Sequence, residues 1–212
     1  MKKLITQELL NTAMSYEQYL QLLEDLLAQK KTTGNNQSEA LFNYATLNDK
    51  RMKKWTKIGK LAPELVQKVT ALNQPLTLLI ITEGWCGDAA QNLPFIQKLS
   101  ELNSKLEIKV ILRDEHPEVI NEFLTEGGKS IPKVIALDSA SLNVLGDWGP
   151  RPAPIQAEFL ENKITQARTG KEFTEHLHFW YAKDKGVTFQ SEFLAILDLW
   201  KTKQQLLPVQ VD

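Results

Sequence analysis

The sequence predicts an α/β protein in which a central sheet, partly parallel and partly antiparallel, is flanked by helices. Three observations lead to this prediction. Apolar segments of strand length alternate with helical segments in the order β-α-β-α-β-β from residue 76 to residue 147. The last two strands are close enough in sequence to pair as a hairpin. Residues 1–72 show helical spacing of apolar residues and no strand pattern.

The first 72 residues are expected to form a helical extension that packs on the core of the following domain, residues 73–212. Ser15 is a suitable N-cap, and Gln18 three residues later completes a capping box. A break at Gly34 separates this helix from a second one, expected from Ser38 to about Thr56. Pro63 stands at the first position of a third, short helix, where proline is favoured.

The sheet is expected to begin just after Pro75. Residues 76–82 are apolar almost throughout, which is typical of a strand covered on both faces, and residues 106–112 alternate as a second strand. A helix from Asp88 to about Asn103 lies between them, and Pro94 is expected to kink it. This order places the end of the first strand next to the beginning of a helix.

The rest of the chain completes the sheet and adds a C-terminal helical extension. The expected elements are a helix over 116–126, strands over 130–138 and 142–147, a helix over 155–184 with Gly170 as its candidate break, and a final helix over 189–201.

Composition excludes several classes of function. The formal net charge is −1, and lysine-rich segments with interleaved aromatic residues are absent, so we expect no nucleic-acid partner. No apolar run reaches the roughly 20 residues that span a bilayer, so we expect no membrane association. One cysteine permits no internal disulfide and no cysteine-rich zinc site. Polar residues near the N-terminus argue against a signal peptide, and we expect a cytoplasmic protein of unknown oligomeric state.

The candidate site is the segment from Glu83 to Asp88, which joins the first strand to the helix after it. Cys86, the only cysteine, falls at the start of that helix. The positive end of a helix dipole and its unpaired N–H groups favour a thiolate. The carboxylates of Glu83 and Asp88 oppose ionisation. The sequence leaves open which influence prevails.

The segment Trp85-Cys86-Gly87 at a strand–helix junction resembles the active site of thioredoxin. Pro94 lies eight residues after Cys86, where thioredoxins carry the proline that kinks the active-site helix. Ile131-Pro132 lies about where they place a cis-proline. The resemblance covers about residues 73–165, and the chain resembles bacterial thioredoxin-family proteins whose motif reads Trp-Cys-Gly-Asp-Ala. It implies a thioredoxin-like fold with the helical extensions described above.

The resemblance also implies roles for residues. Cys86 would be the nucleophile, with the N–H groups of Gly87 and Asp88 stabilising its thiolate. Three further residues, Trp85, Ile131 and Pro132, would contact the partner. The partners would be thiols or disulfides of proteins or small molecules. Single-cysteine glutaredoxins hold an iron–sulfur cluster with glutathione, but their motif has serine where this chain has Ala89, and we expect neither cofactor nor metal.

Two departures from the dithiol pattern alter the expected chemistry. Ala89 replaces the resolving cysteine, and Ile80 replaces the buried acid that accepts protons. Without these groups a mixed disulfide cannot collapse into an internal one. The expected function is therefore single-thiol redox chemistry at Cys86. The alternatives are a sensor that becomes oxidised at Cys86 and a redox-inactive module for protein interaction, in which Cys86 is a relic.

Simpler interpretations apply to several neighbouring side chains. Asp88 is a candidate proton shuttle, although a first-turn acid that complements the helix dipole is the interpretation we favour. Glu83 is expected to be solvated, and Trp85 to form contact surface beside the thiol. The pair His176 and His178 resembles a metal site, but residues two apart on a helix point in opposite directions and cannot share an ion.

Overall fold

The computed structural model describes residues 4–207 and confirms the predicted fold class. Its strands are β1 (Leu76–Thr82), β2 (Leu106–Leu112), β3 (Lys133–Asp138) and β4 (Val144–Trp148). Within the described chain they form one sheet in the order β2-β1-β3-β4. β1 runs parallel to β2 and antiparallel to β3, and β3 pairs antiparallel with β4. The sheet is therefore mixed, as a β-α-β unit followed by a hairpin requires.

Helices of the described chain surround this sheet. They are α1 (Gln7–Thr12), α2 (Tyr16–Ala28), α3 (Glu39–Ile58), α4 (Pro63–Thr70), α5 (Gly87–Ser100), α6 (Pro117–Ile120), α7 (Ala153–Thr165), α8 (Gly170–Asp184) and α9 (Val187–Gln205). The capping box of Ser15 and Gln18 begins α2 as predicted. The candidate break near Gly170 is confirmed, because Thr169 and Glu172 form a second capping box that begins α8.

The helix predicted over 116–126 is wrong in length. The structure has only α6 there, a single turn, and residues 121–128 form turns. Thr125 and Gly128 exchange backbone hydrogen bonds of 2.9 Å, which closes a tight turn around Gly127. Glu126 and Gly127 both adopt positive φ angles, a conformation incompatible with continuing a right-handed helix.

The N-terminal helices share the main hydrophobic core with the sheet. Trp55 of α3 packs against Phe95 of α5 with ring centroids 5.6 Å apart, and its Nε1 donates a 2.6 Å hydrogen bond to Gln91 Oε1. At the outer edge of β2, Met14 exchanges two backbone hydrogen bonds with Val110, at 2.9 and 2.8 Å. The boundary between the extension and the domain at residue 73 stays a prediction.

Helices α7 and α8 form an antiparallel pair, here called the α7–α8 hairpin (residues 153–184), with a hydrophobic cluster of its own. The buried members of this cluster are Ile155, Phe173, Leu177 and Tyr181, with Phe159 and Trp180 packed against them. Helix α9 instead returns to the main core, where Phe189, Phe193, Leu197 and Trp200 are buried. The hairpin is thus a separately packed unit beside the sheet.

Candidate functional site

Cys86 lies at the predicted junction of strand and helix. β1 ends at Thr82, a turn closed by a 3.0 Å hydrogen bond from Cys86 N to Glu83 O follows, and Cys86 is the N-cap of α5. The Ala89 N–H donates to Cys86 Sγ at 3.5 Å. The thiol in turn donates to the carbonyl oxygen of Ile131 at 3.2 Å. The sulfur therefore bridges the helix N-terminus and the loop before β3.

The Cys86 thiol is protonated at neutral pH in this conformation. Only 6% of the residue is exposed, and this burial is the main reason that its pKa is raised from 9.0 to about 12. The Asp88 carboxylate adds to the rise in pKa, whereas the Ala89 N–H, the Arg151 guanidinium and the Asp88 N–H act to lower it. Burial and the nearby acid thus outweigh the helix N-terminus.

The loop opposite the thiol contains Ile131 and Pro132, which are joined by a cis peptide bond. Both residues are buried, so neither presents a surface to a partner in this conformation. Gly149, which follows β4, lies against this loop: a Cβ atom at Gly149 would stand 2.2 Å from the Pro132 carbonyl oxygen. The segment after β4 therefore packs directly against the loop that faces the thiol.

Asp88 is the centre of a buried polar cluster. Its Oδ2 accepts hydrogen bonds from Arg151 Nε at 3.0 Å and from Nη2 at 2.7 Å. Its Oδ1 accepts a 2.8 Å hydrogen bond from the Tyr181 hydroxyl. Burial raises the pKa of Asp88, while the charge and hydrogen bonds of Arg151 and the hydrogen bond of Tyr181 lower it. The carboxyl group thus ties the α7–α8 hairpin to the first turn of α5.

Helix α8 lies against the same turn through a second residue. A Cβ atom at Gly87 would stand 3.2 Å from His178 Cε1, so the imidazole ring covers the residue that follows Cys86. Burial, and then the charge of Arg51, lower the pKa of His178 to about 4, which leaves it neutral at physiological pH. His176 instead pairs with Glu158 at 2.6 Å. The two histidines thus have separate surroundings, as their spacing predicts.

Trp85 and Glu83 complete the turn before the thiol. Trp85 is half-buried, and the Arg113 guanidinium lies 4.8 Å from the centre of its ring. The prediction that Glu83 is solvated is wrong, because the residue is 0% exposed. Its Oε1 accepts a 3.0 Å hydrogen bond from Asp114 N, and burial raises its pKa. The segment between α2 and α3 packs against this turn, where Thr33 Oγ1 accepts a 2.8 Å hydrogen bond from Gly84 N.

Two important neighbours of the thiol are residues that sequence reasoning missed. Arg151 stands between two prolines and Tyr181 lies in the segment predicted to be helical, and neither is among the site residues that the sequence predicts. They are 63 and 93 positions from Asp88 in the chain, and no local periodicity relates such distant positions. The available signal was Arg151 itself, a charged residue between two prolines shortly after the last predicted strand.

Comparison with known proteins identifies the family. A family model described as thioredoxin matches residues 34–168, which is more than half of the chain. The chain belongs to the thioredoxin family. The matched region begins within the segment expected as an N-terminal extension and ends at the turn between α7 and α8. No curated protein matches the chain.

Solved structures support the fold. A crystal structure of an HIV epitope scaffold of the 4E10 series is similar, with a TM-score of 0.58 and 18% sequence identity over 90% of this chain and 96% of that chain. A protein of unknown function from Pseudomonas aeruginosa has a TM-score of 0.57 and 16% identity, over 90% and 95% of the two chains. At this identity the likeness concerns the fold alone.

Two other features, a helix that could span a membrane and a metal-binding cluster, are not found within residues 4–207. None of the helices described there combines the length and the apolar character needed to cross a bilayer. In the same range, histidine, cysteine, aspartate and glutamate side chains do not gather in groups of three or more that suit a metal ion.

Proposed function

We propose that this thioredoxin-family protein exchanges thiols with disulfides through Cys86 alone. One observation carries the proposal: Cys86 Sγ lies 3.2 Å from the carbonyl oxygen of Ile131, directly before Pro132. The only thiol of the chain thus faces the loop at which the resemblance to thioredoxin implies that a partner binds. We also infer that the protein resembles bacterial members with the motif Trp-Cys-Gly-Asp-Ala, here residues 85–89.

The reaction takes place in two exchanges. The Cys86 thiol loses its proton to solvent, and its sulfur attacks one sulfur of a protein or small-molecule disulfide. A bond forms between Cys86 and that sulfur, the disulfide bond breaks, and the leaving thiolate takes up a proton. The thiolate of an external thiol then attacks the partner's sulfur in the mixed disulfide. A new disulfide forms between these two sulfurs, the bond to Cys86 breaks, and the Cys86 thiolate takes up a proton. Because Ala89 has no thiol, this second step requires an external reductant of the thiol class.

The burial of the Cys86 sulfur favours a second candidate function, that of a redox-inactive module for protein interaction. A thiol with a pKa of about 12 is almost entirely protonated at pH 7, and a protonated thiol is a poor nucleophile. In this alternative, Cys86 acts as a small buried residue, and the surfaces of the helical extensions bind the partner. The two candidates differ in whether Cys86 ever becomes accessible to a disulfide.

Incubation of the full chain with oxidised glutathione tests the proposal. We expect intact-mass analysis to show a single glutathione adduct on the native protein, formed slowly and removed by dithiothreitol. The Cys86→Ser variant should form none, because the chain contains no other cysteine. The proposal is refuted if the urea-unfolded protein forms the adduct while the native protein remains unmodified over hours.

Affinity capture of partner proteins distinguishes the interaction module from the thiol–disulfide exchange protein. If partners bind equally to the native protein and to the Cys86→Ser variant, and the native protein forms no adduct, the module is supported. If the variant loses every partner, the pure module is excluded, since the substitution changes one buried atom and leaves the helical surfaces intact.

A further inference from the structure

The α7–α8 hairpin has an unusual attachment to the rest of the molecule. Its apolar side chains pack into their own cluster, separate from the main core, whereas α9 directly after it is embedded in that core. A helix pair with a core of its own does not require the sheet in order to bury its apolar faces. The hairpin can therefore move without opening the main core.

Hydrogen bonds join the hairpin to α5. Tyr181 of α8 donates to Asp88 Oδ1, and the Asn92 amide donates to the Tyr181 hydroxyl at 3.1 Å. Arg151, just before α7, forms the ion pair with Asp88 and also lies 4.5 Å from the centre of the Phe159 ring. Arg151 thus contacts both the hairpin and the first turn of α5.

Some buried polar atoms at the contact between the hairpin and α5 lack hydrogen-bond partners. Arg151 Nη1, Asn92 Oδ1 and His178 Nδ1 are buried and have no hydrogen-bond partner among the described residues. A buried polar atom without a partner reduces the stability of the contact that buries it, because it was hydrogen-bonded to water before burial. Opening the hairpin would return these atoms to water, which lowers the cost of opening.

We propose that the α7–α8 hairpin is a lid over the Cys86 end of α5, held closed by the hydrogen bonds of Arg151 and Tyr181 to the Asp88 carboxylate. In the closed state, the His178 ring covers Gly87, and Arg151 and Tyr181 hold the Asp88 carboxylate near the thiol. Open, it exposes the helix N-terminus that carries Cys86. The inference rests on the proposed function in one respect, since it takes the Cys86 thiol as the group that the lid controls.

Alkylation of the native full-length protein by iodoacetamide at constant pH measures access to Cys86. The variant Tyr181→Phe keeps the ring in the hairpin cluster and removes the hydroxyl, with its hydrogen bonds to Asp88 and from Asn92. We expect its alkylation to be about tenfold faster than that of the native protein, because a hydrogen bond to a charged group changes an equilibrium by roughly this factor or more. Tyr44→Phe, at a tyrosine that is 40% exposed, is the matched control and should leave the rate unchanged.

A second variant separates access from electrostatics. Arg151 lowers the pKa of Cys86 directly, but it also lowers the pKa of Asp88, whose carboxylate raises the pKa of Cys86. Arg151→Gln can therefore change the pKa of Cys86 in either direction, and for this variant the alkylation rate is followed across pH. A faster rate at an unchanged Cys86 pKa requires opening, whereas a faster rate explained by a lowered pKa alone counts against the lid. Arg168→Gln, at an exposed arginine between the two helices, is its control.

Hydrogen exchange on the same samples identifies what opens. We expect faster amide exchange in α8 of both Tyr181→Phe and Arg151→Gln, with the exchange of α9 unchanged. Unchanged alkylation in both variants, or faster exchange throughout α8, α9 and the sheet together, would overturn the lid. If alkylation becomes faster but oxidised glutathione still forms no adduct, the lid is supported and the proposed redox function fails.

Discussion

Glu83 places a carboxyl group in the interior directly behind the turn that carries Cys86. It is fully buried, and Asp114 N–H is a hydrogen-bond donor to it. Because burial raises its pKa above the ordinary value of 4.5, the folded protein binds the proton more tightly than the unfolded chain does. The free energy of unfolding therefore falls as the pH rises from 4.5 through the raised pKa.

The Glu83→Gln variant removes this pH dependence. The amide oxygen can still accept from Asp114 N–H, and no charge is buried. We expect a gain in unfolding free energy on the order of 1 kcal/mol at pH 7, shrinking as the pH falls toward the ordinary glutamate pKa. Urea unfolding at a series of pH values measures it, with the exposed Glu175→Gln as control. A constant difference between variant and native protein at all pH values would contradict this explanation.

Gly149 is a position where only glycine fits. Its φ angle is +117°, and an added Cβ atom would stand 2.2 Å from the Pro132 carbonyl oxygen. We expect Gly149→Ala to reduce the free energy of unfolding by about 3 kcal/mol or more, from backbone strain and steric overlap together.

Gly170→Ala is the matched control for Gly149→Ala. No atom outside the local backbone would lie within 4 Å of a Cβ atom added at Gly170. Gly170 is the first residue of α8 and already has helical geometry. Its effect should be below about 1 kcal/mol. Chemical denaturation of both variants measures the difference, and equal effects would show that the contact with Pro132 does not restrict residue 149.

At the scale of elements, helix α3 is joined to α5 by one buried polar contact within an apolar interface. Trp55 Nε1 donates to Gln91 Oε1, and Gln91 is buried. We expect Trp55→Phe to cost about 2 kcal/mol or more, because it removes ring volume and leaves the Gln91 side chain without its donor. In the Trp55→Phe/Gln91→Met double variant, part of that loss should be recovered. Urea unfolding measures both, and a double variant as unstable as the sum of the single ones would contradict the role of this hydrogen bond.

The sequence predicted elements best where local signals agree with burial. β1 and β2 match the predicted runs 76–82 and 106–112. β1 lies inside the sheet and is buried along its whole length, whereas the first residues of β2, at the edge, alternate between buried and more exposed positions. The helix predicted over 116–126 was too long, since apolar spacing there coexists with positive φ angles at Glu126 and Gly127. Helical spacing alone does not reveal where a turn of the backbone interrupts a helix.

At the scale of the whole molecule, the position of Cys86 was predictable and its surroundings were not. A strand end, a turn and a helix start are local, so the junction at residues 82–87 follows from the sequence. The raised pKa of the thiol depends on burial by distant segments and on Asp88, which Arg151 and Tyr181 hold. A single sequence has no pattern that relates these long-range neighbours.

The position of β2 at the end of the sheet has a consequence for solubility. An edge strand offers unpaired N–H and C=O groups to which a second copy of the chain can add. Met14 occupies these groups at Val110 through two hydrogen bonds. Met14→Pro removes the donor at this position, and we expect concentration-dependent association in light scattering, whereas Met14→Ala should stay dispersed. Equal scattering from the two variants would count against a shielding role; otherwise one short segment ahead of α2 is what keeps this edge of the sheet from pairing with a neighbouring molecule.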